Sequence, residues 1–329
     1  MYTTPYHSND LSKLSFLVTG GAGFVGCNIV EYLLKQGAKK VRVLDNLSQG
    51  YIENLEEFNS NPAFEFMEGD ITNLDDCRNA CDGVDYVTHQ AALGSVPRSI
   101  KTPEKTNAAN VDGFLNMLIA ARDANVKRFV YASSSSVYGD SPALPKLEQN
   151  IGKPLSPYAV SKYVNELYAD VFHKCYGMEV IGLRYFNIFG PKQSPKGAYA
   201  AVIPLFIQGI FDNEAPYING DGEQTRDFTF VENAVQANIR AMFATNPKAV
   251  GQVYNIAVGD RITINFLFDE LARLAGSTLK ANHRDDREGD IRDSLADISK
   301  AQELMEYNPL IKVGEGLKKT LDWFTSNKK

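Results

Sequence analysis

The chain has 329 residues, is 44% hydrophobic and carries a formal net charge of −6, long enough for one large core or two modest domains. Its acidic balance excludes nucleic acid and the membrane surface as partners, because both select clustered positive charge. No run of about 18 apolar residues is present, so no membrane span is predicted.

Residues 1–10 are polar and read as a loose tail, without the apolar stretch of a signal peptide. The four cysteines, Cys27, Cys77, Cys81 and Cys175, show no CxxC pair and no neighbouring His to complete a metal set. They read as free thiols of a reducing cytoplasm, and no metal is expected.

Residues 15–19 are predicted as a buried strand and 28–36 as a helix stopped by Gly37. Strands follow at 41–44, 64–67 and 85–89, then a helix at 113–124 and a strand at 128–132. A long amphipathic helix at 158–176 ends at Gly177 and leads into a strand at 180–183. Short strands rich in β-branched and aromatic residues, separated by helices, mean an α/β fold: a doubly wound parallel Rossmann sheet. After about Arg184 the texture changes, and Pro191, Pro195, Pro204 and Pro216 break the alternation. A helix after Val231 and a strand at 253–256 still have Rossmann character. The expected division is 1–184 as a dinucleotide-binding domain with returning segments near 228–257. Residues 185–329 would form mainly a second, smaller mixed α/β substrate-binding domain.

Gly20-Gly21-Ala22-Gly23-Phe24-Val25-Gly26 follows the first strand and opens the first helix. Gly20 can supply the tight turn, Gly23 lets backbone approach a pyrophosphate, and Gly26 permits close helix–sheet contact. Asp45 ends the second strand 19 residues after Gly26, where a carboxylate can bind ribose hydroxyls. That charge repels the 2′-phosphate of NADP and no Arg immediately follows it, so NAD is the expected cofactor. Asp70, in Gly69-Asp70-Ile71, can approach adenine or simply cap the next helix. Gln90-Ala91-Ala92 ends the fourth strand on the same sheet edge and leaves room for the middle of the cofactor.

Tyr158 and Lys162 lie four apart on one helix face, so phenol and ammonium can meet. A positive charge beside a phenol lowers its pKa towards that of a usable base. Upstream, Ser133-Ser134-Ser135-Ser136 follows a strand. A hydroxyl at a strand's carboxyl end can bridge phenol and substrate, although four serines also suit a polar turn.

With these residues the chain resembles the extended short-chain dehydrogenase/reductase superfamily over nearly its full length. The carrying residues are Gly20 to Gly26, Asp45, Gln90-Ala91-Ala92, 134–139, Tyr158/Lys162 and Arg184-Tyr185-Phe186-Asn187. Within that group it is most similar to bacterial UDP-N-acetylglucosamine/UDP-N-acetylgalactosamine 4-epimerases, in residues 89–99, 154–160, 197–204 and 217–223.

The resemblance implies NAD-dependent epimerisation at C4 of a UDP-N-acetylhexosamine. Tyr158 would take the proton of the 4-hydroxyl, and Lys162 would tune it and hold the nicotinamide ribose. Ser134, three residues before Val137-Tyr138-Gly139, would be the catalytic hydroxyl, with Ser135 near the N-acetyl group. Hydride would leave C4 for NAD, the 4-keto sugar would turn over, and hydride would return to the opposite face. Net redox is zero, so the enzyme would keep its cofactor.

Further cofactor contacts implied are Phe24, Val25, Asn46, Gly50, Ile71, Asn110 and Tyr185. For substrate the resemblance implies Asn187, Arg226 and Arg287 at the diphosphate, where two forked guanidinium groups suit the charge. It adds Asp290, and Tyr217 and Asn219 at uridine. Gly94, Ser95, Ala201, Val202 and Ser294 would line the sugar pocket; hexose-only relatives carry Tyr at the last position, so Ser294 leaves space for an acetamido group. A cytoplasmic homodimer through helices 113–124 and 158–176 is the family habit.

Two departures stand out from that pattern: Ala132 precedes four serines, and Lys192-Gln193-Ser194-Pro195-Lys196 replaces a segment usually richer in Arg. The alternatives are a UDP-glucose/UDP-galactose or UDP-hexuronate 4-epimerase, a dehydratase, a decarboxylase, a net oxidoreductase or an inactive NAD-binding protein. A dehydratase needs an acidic pair after the hydroxyl, where this chain has Ser135-Ser136. A decarboxylase usually carries Glu before Val-Tyr-Gly, and an inactive relative would lose Tyr158 or Lys162.

Overall fold

A computed structural model describes residues 1–196, 200–285 and 292–327. Seven strands form one sheet: β1 Ser15–Thr19, β2 Lys40–Asp45, β3 Phe64–Glu68, β4 Tyr86–His89, β5 Arg128–Ser134, β6 Val180–Tyr185 and β7 Gln252–Ile256. Their spatial order is β7-β6-β5-β4-β1-β2-β3, and every neighbouring pair is parallel. Strand order reverses between β1 and β4, so the helices after them diverge to opposite faces and leave a crevice at the carboxyl ends.

Side-chain alternation along β1 feeds both faces. Phe16 and Val18 pack with Ile29, Val30 and Leu33 of the Phe24–Lys35 helix and Val235 and Ile239 of the Val231–Phe243 helix. Leu17 points the other way, into a core with Cys77, Phe114, Leu118 and Phe172 from helices Leu74–Cys81, Gly113–Asp123 and Pro157–Tyr176. Helices on both faces explain why the strands read as unbroken apolar runs. The returning pieces complete this layer: β7 pairs with β6 at the sheet edge, and Val231–Phe243 packs beside Phe24–Lys35.

Boundaries shift by a few residues. The first helix begins at Phe24 rather than residue 28, with Gly23 in the capping position, because its opening turn carries the cofactor motif rather than an apolar stripe. Strands β5 and β6 each run two residues further than predicted, and Ser133 and Ser134 lie level with Arg184 and Tyr185. The second lobe has its own core of Phe206, Ile207, Phe230, Leu267 and Leu317. Helices Val202–Asp212, Ile264–Leu274 and Val313–Ser326 and three two-stranded pairs surround it. Among the described residues, no helix is long and apolar enough to cross a membrane.

Residues 1–10 are not the loose tail that their polarity suggested. Tyr2 and Tyr6 are buried, and the Tyr6 ring stacks on Tyr32 at 5.3 Å. The Tyr2 hydroxyl donates to Asn28 Oδ1 at 2.7 Å, the Tyr6 hydroxyl to Glu232 Oε1 at 2.9 Å. The segment straps the helix that backs β1 to the helix that backs β5 and β6. Two aromatics spaced among polar residues carry no periodicity, so composition concealed the contact. Replacing a buried ring of this size by alanine costs about 3 kcal/mol. Tyr6→Ala is therefore expected to lower the urea midpoint accordingly at unchanged m-value, with unaltered stability contradicting the strap.

Candidate active site

A cleft of about 1070 Å³ opens at the carboxyl ends of β1 to β6, at the upper end of small-molecule sites, which reach roughly 1,000 Å³. Gly20 sits at φ +67°, and a Cβ there would lie 2.7 Å from the backbone N of Ala91. At Gly26 a Cβ would come within 2.2 Å of the Gly20 carbonyl oxygen. Only glycine lets the turn fold back between β1 and β4 and press the helix onto it. Gly23 caps that helix without a side-chain bond, so the first-turn positions Phe24 and Val25 face the cleft. Such a helix start attracts a phosphate.

Asp45 receives the N–H groups of Ala22 and Leu47, both at 2.9 Å. Burial nevertheless pushes its carboxyl above the usual range, a cost that donors from ribose hydroxyls would relieve. Gly50 is packed so close that an added Cβ would lie 2.7 Å from that of Ala22. Asp70 is partly buried, but bonds from Thr72 and Asn46 outweigh burial and hold its carboxyl below the ordinary value. Asn46, Asp70 and Ile71 line the same cleft, as do Gln90, Ala91, Ala92 and Tyr185. The glycine cradle, the open helix start and the buried carboxylate suit NAD.

Gln90 and Tyr185 belong to a shared polar net. The Tyr185 hydroxyl donates to Gln90 Oε1 at 3.1 Å, and Asn238 Nδ2 donates to the Tyr185 oxygen at 2.7 Å. Asn110 is not in the cleft wall. It sits in a π-helical turn, Ala108–Asp112, accepts the Leu93 N–H at 2.7 Å and donates to Ser161 Oγ at 3.0 Å. It thereby ties the segment after β4 to the helix that carries Tyr158.

Strand alternation separates the serines at the end of β5. Ser133 points into the core and donates to Glu166 Oε1 at 2.5 Å. Ser134 faces the cleft and accepts the Ser136 N–H at 3.1 Å, and Tyr158 borders the same cleft. Ser135 opens a short 3-10 turn and does not line the cleft. Tyr158 and Lys162 both border the cleft, yet the Lys162 ammonium donates to the Ala132 carbonyl at 2.8 Å. Burial pushes that ammonium down to about 8, against the pull of Glu166. The Tyr158 phenol is held above its ordinary value by burial, with Ser134 pulling it down. The expected lowering by Lys162 is therefore absent here. Desolvation outweighs charge, because the ammonium is turned to a backbone oxygen.

Among the predicted substrate residues, Gly94 and Asn187 line the cleft. Asn187, at φ +37°, donates to the Asp227 carbonyl at 2.9 Å, and the Ser294 N–H donates to the Thr225 carbonyl at 3.1 Å. Asn187 and Ser294 thus flank the segment holding Arg226. Asn219 joins it through Gln224, whose Nε2 donates to the Asn219 carbonyl at 2.8 Å. The Tyr217 ring is 58% exposed, leaving a face open for stacking. Ser95 caps the Val96–Lys101 helix and Ala201 precedes the helix that Val202 begins; none of the three borders the cleft. Arg287 and Asp290 lie outside the described residues.

Sequence reasoning missed four cations. Arg98, Lys101 and Lys105 border the cleft. Arg98 and Lys101 belong to the Val96–Lys101 helix and Lys105 to the Pro103–Asn107 helix that follows, a spread that a search for dense basic runs overlooks. Arg284 stands over the Tyr217 ring at 5.6 Å and donates to Asn219 Oδ1 at 2.6 Å. That pairing joins strands more than sixty residues apart and leaves no local trace.

Because the Ser134 hydroxyl pulls the Tyr158 phenol down, Ser134→Ala should raise it further. In this variant the acid limb of the kcat–pH profile is expected to move to higher pH. An unmoved limb would show that Ser134 does not act on the phenol.

Residues 16–257 match the family described as "NAD dependent epimerase/dehydratase family". A putative UDP-glucose 4-epimerase of Methanocaldococcus jannaschii is 38% identical over 314 residues, covering 94% of this chain and 98% of that protein. A UDP-glucuronate 4-epimerase of Thermodesulfobacterium geofontis is 35% identical over 322 residues, or 95% and 96% of the two chains. Among solved structures, a UDP-N-acetylglucosamine 4-epimerase from Methanobrevibacter ruminantium M1, in complex with UDP-N-acetylmuramic acid, is similar at a TM-score of 0.90. Its sequence identity is 40%, with 95% of this chain and 98% of that chain covered. These three relatives differ in the sugar they are named for, and each aligns with nearly the whole of this chain. The chain belongs to the NAD-dependent epimerase/dehydratase family, and its cofactor is NAD.

Proposed function

We propose that this chain is a UDP-sugar 4-epimerase whose preferred substrates are UDP-N-acetylhexosamines. The observation that carries the reaction type is that Tyr158 and Ser134 border one cleft whose wall, among the described residues, holds no acid beside them. The carboxylates lining the described cleft, Asp45 and Asp70, stand at β2 and β3, three and four strands from β5. A dehydratase would need an acidic group next to the hydroxyl, so this arrangement favours simple oxidation and return.

In this reading Tyr158 accepts the proton of the 4-hydroxyl, and Ser134 holds both oxygens in line. Lys162, buried against the Ala132 carbonyl, fixes the local charge. NAD supplies the acceptor for the C4 hydride and later its donor. Arg226 and Arg287 take the diphosphate beside Asn187, with Asp290 alongside, while Tyr217 and Asn219 hold uridine. By resemblance, Gly94, Ser95, Ala201, Val202 and Ser294 would surround an acetamido group with Ser135 near it; of these, Gly94 borders the cleft. This supports the N-acetylated sugar over UDP-glucose or UDP-glucuronate.

We also assign the chain to the cytoplasm as a homodimer. Val160, Leu167 and Val171 recur on one side of the Pro157–Tyr176 helix and are each about half exposed. An apolar stripe of this kind suits a second copy. Leu167→Glu is expected to shift a dimer to monomer in sedimentation; an unchanged mass argues against that face.

Purified protein, given UDP-N-acetylglucosamine or UDP-glucose without added NAD, is expected to form the 4-epimer of the former faster, read by NMR. Tyr158→Phe should abolish turnover while bound NAD remains detectable. Ser294→Tyr should impair N-acetylated substrates selectively, and equal losses on both sugars would remove the basis of the preference.

A further inference from the structure

Residues 190–193 leave the second lobe and fasten onto the cofactor domain. The Pro191 carbonyl accepts Asn28 Nδ2 at 3.3 Å. Lys192 follows at φ +70°, a left-handed conformation that a lysine adopts only when its surroundings enforce it. Its side chain is 11% exposed, and its ammonium contacts Glu57 Oε1 at 2.5 Å and Glu31 Oε2 at 3.4 Å. It also lies 5.2 Å from the centre of the Phe58 ring. Burial disfavours this ammonium, but the Glu57 and Glu31 carboxylates more than compensate, and it stays charged.

The two carboxylates are placed informatively. Glu31 is on the Phe24–Lys35 helix, whose start is the glycine cradle. Glu57 is in the short turn Glu56–Phe58, which follows the Asp45 to Gly50 wall of the cleft. One ammonium therefore joins the helix behind the pyrophosphate position, the wall beside Asp45 and the segment leaving β6. The next residue, Gln193, lines the same cleft. Its Nε2 donates to the Ile188 carbonyl at 3.1 Å. Its Oε1 is buried and has no hydrogen-bond partner among the described residues. A buried acceptor left unmade is costly, which points to a donor that arrives with a ligand.

We propose that Lys192 is a positioning residue that clasps the cofactor cleft. By pinning residues 190–193 to Glu31 and Glu57, it holds the Gln193 amide oxygen where a hydroxyl or amide of bound NAD donates to it. The clasp acts on cofactor release. An enzyme with zero net redox reuses one NAD through successive turnovers, so slow release preserves its active form. The inference deepens the epimerase reading but depends only on NAD being bound, not on which sugar turns over.

The test uses purified holoenzyme and the release of radiolabelled NAD into excess unlabelled NAD. Lys192→Met is expected to speed release about tenfold, as interface changes act mainly on dissociation. Lys192→Arg keeps charge and reach and should return the rate to within about twofold, a rescue that lost packing alone would not give. Gln193→Leu, similar in volume, should speed release roughly threefold, the worth of one neutral hydrogen bond. High salt should speed release from wild type more than from Lys192→Met. If Lys192→Met does not fold, Gln193→Leu and the Arg variant still decide the matter. Wild-type release rates in both Lys192→Met and Gln193→Leu would overturn the proposal; faster release from Lys192→Met with a normal rate from Gln193→Leu would overturn the ligand contact. Failure of epimerisation on every UDP-sugar would instead strike the functional reading and leave these rates unaffected.

Discussion

The arrangement of the catalytic wall depends on one buried ion pair. Arg184 on β6 grips Glu166 through Nε at 2.8 Å and Nη2 at 2.7 Å, and Ser133 on β5 donates to the same carboxylate. Three elements are thereby locked together: both strands and the helix bearing Tyr158. A buried pair of this kind gains little net stability, because desolvation offsets much of the attraction. Its effect is positional. With Ser133 drawn into the core, alternation along the strand turns Ser134 towards the cleft, where it meets Tyr158. Glu166 also lies one helical turn from Lys162 and supports its charge. A single carboxylate thus sets the register of the serines and the electrostatics of the lysine.

Around that wall the labour is divided. The sheet's carboxyl edge offers backbone, glycine and a buried carboxylate, which suit a dinucleotide. The second lobe offers guanidinium groups and an open tyrosine face. The two meet at Asn187, whose strained backbone leaves β6, borders the cleft and reaches the Asp227 carbonyl beside Arg226. Asp227 in turn accepts the N–H groups of Val258, Gly259 and Ala296, from two returning segments of the chain. Burial pushes its carboxyl up to about 6 despite those bonds. These polar ties add to apolar contacts, in which Phe24 and Val231 of the flanking helices pack into the lobe's core.

Much of the cofactor half was legible because it is local. The turn Gly20 to Gly26, the strand end at Asp45 and the four-residue spacing of Tyr158 and Lys162 are written within single elements. The sheet followed from alternating texture, and the return of β7 from a short apolar run. Harder to read were features that depend on direction. Both Ser133 and Ser134 are candidate hydroxyls in the sequence, and only pairing with β6 gives them opposite roles. The phenol's pKa was expected to fall beside an ammonium, yet it rises, since the ammonium turns to Ala132.

What the sequence determined by itself is the set of short-range constraints: where strands and helices form, where glycine is obligatory, and which helix face carries the phenol. Those follow from backbone sterics and periodicity acting over a few residues. Tertiary structure alone decided the strap of Tyr2 and Tyr6, the stacking of Arg284 on Tyr217, and the grip of Lys192 on Glu31 and Glu57. Each joins residues far apart in the chain, and its energy comes from burial and charge that exist only once the partners have been brought together.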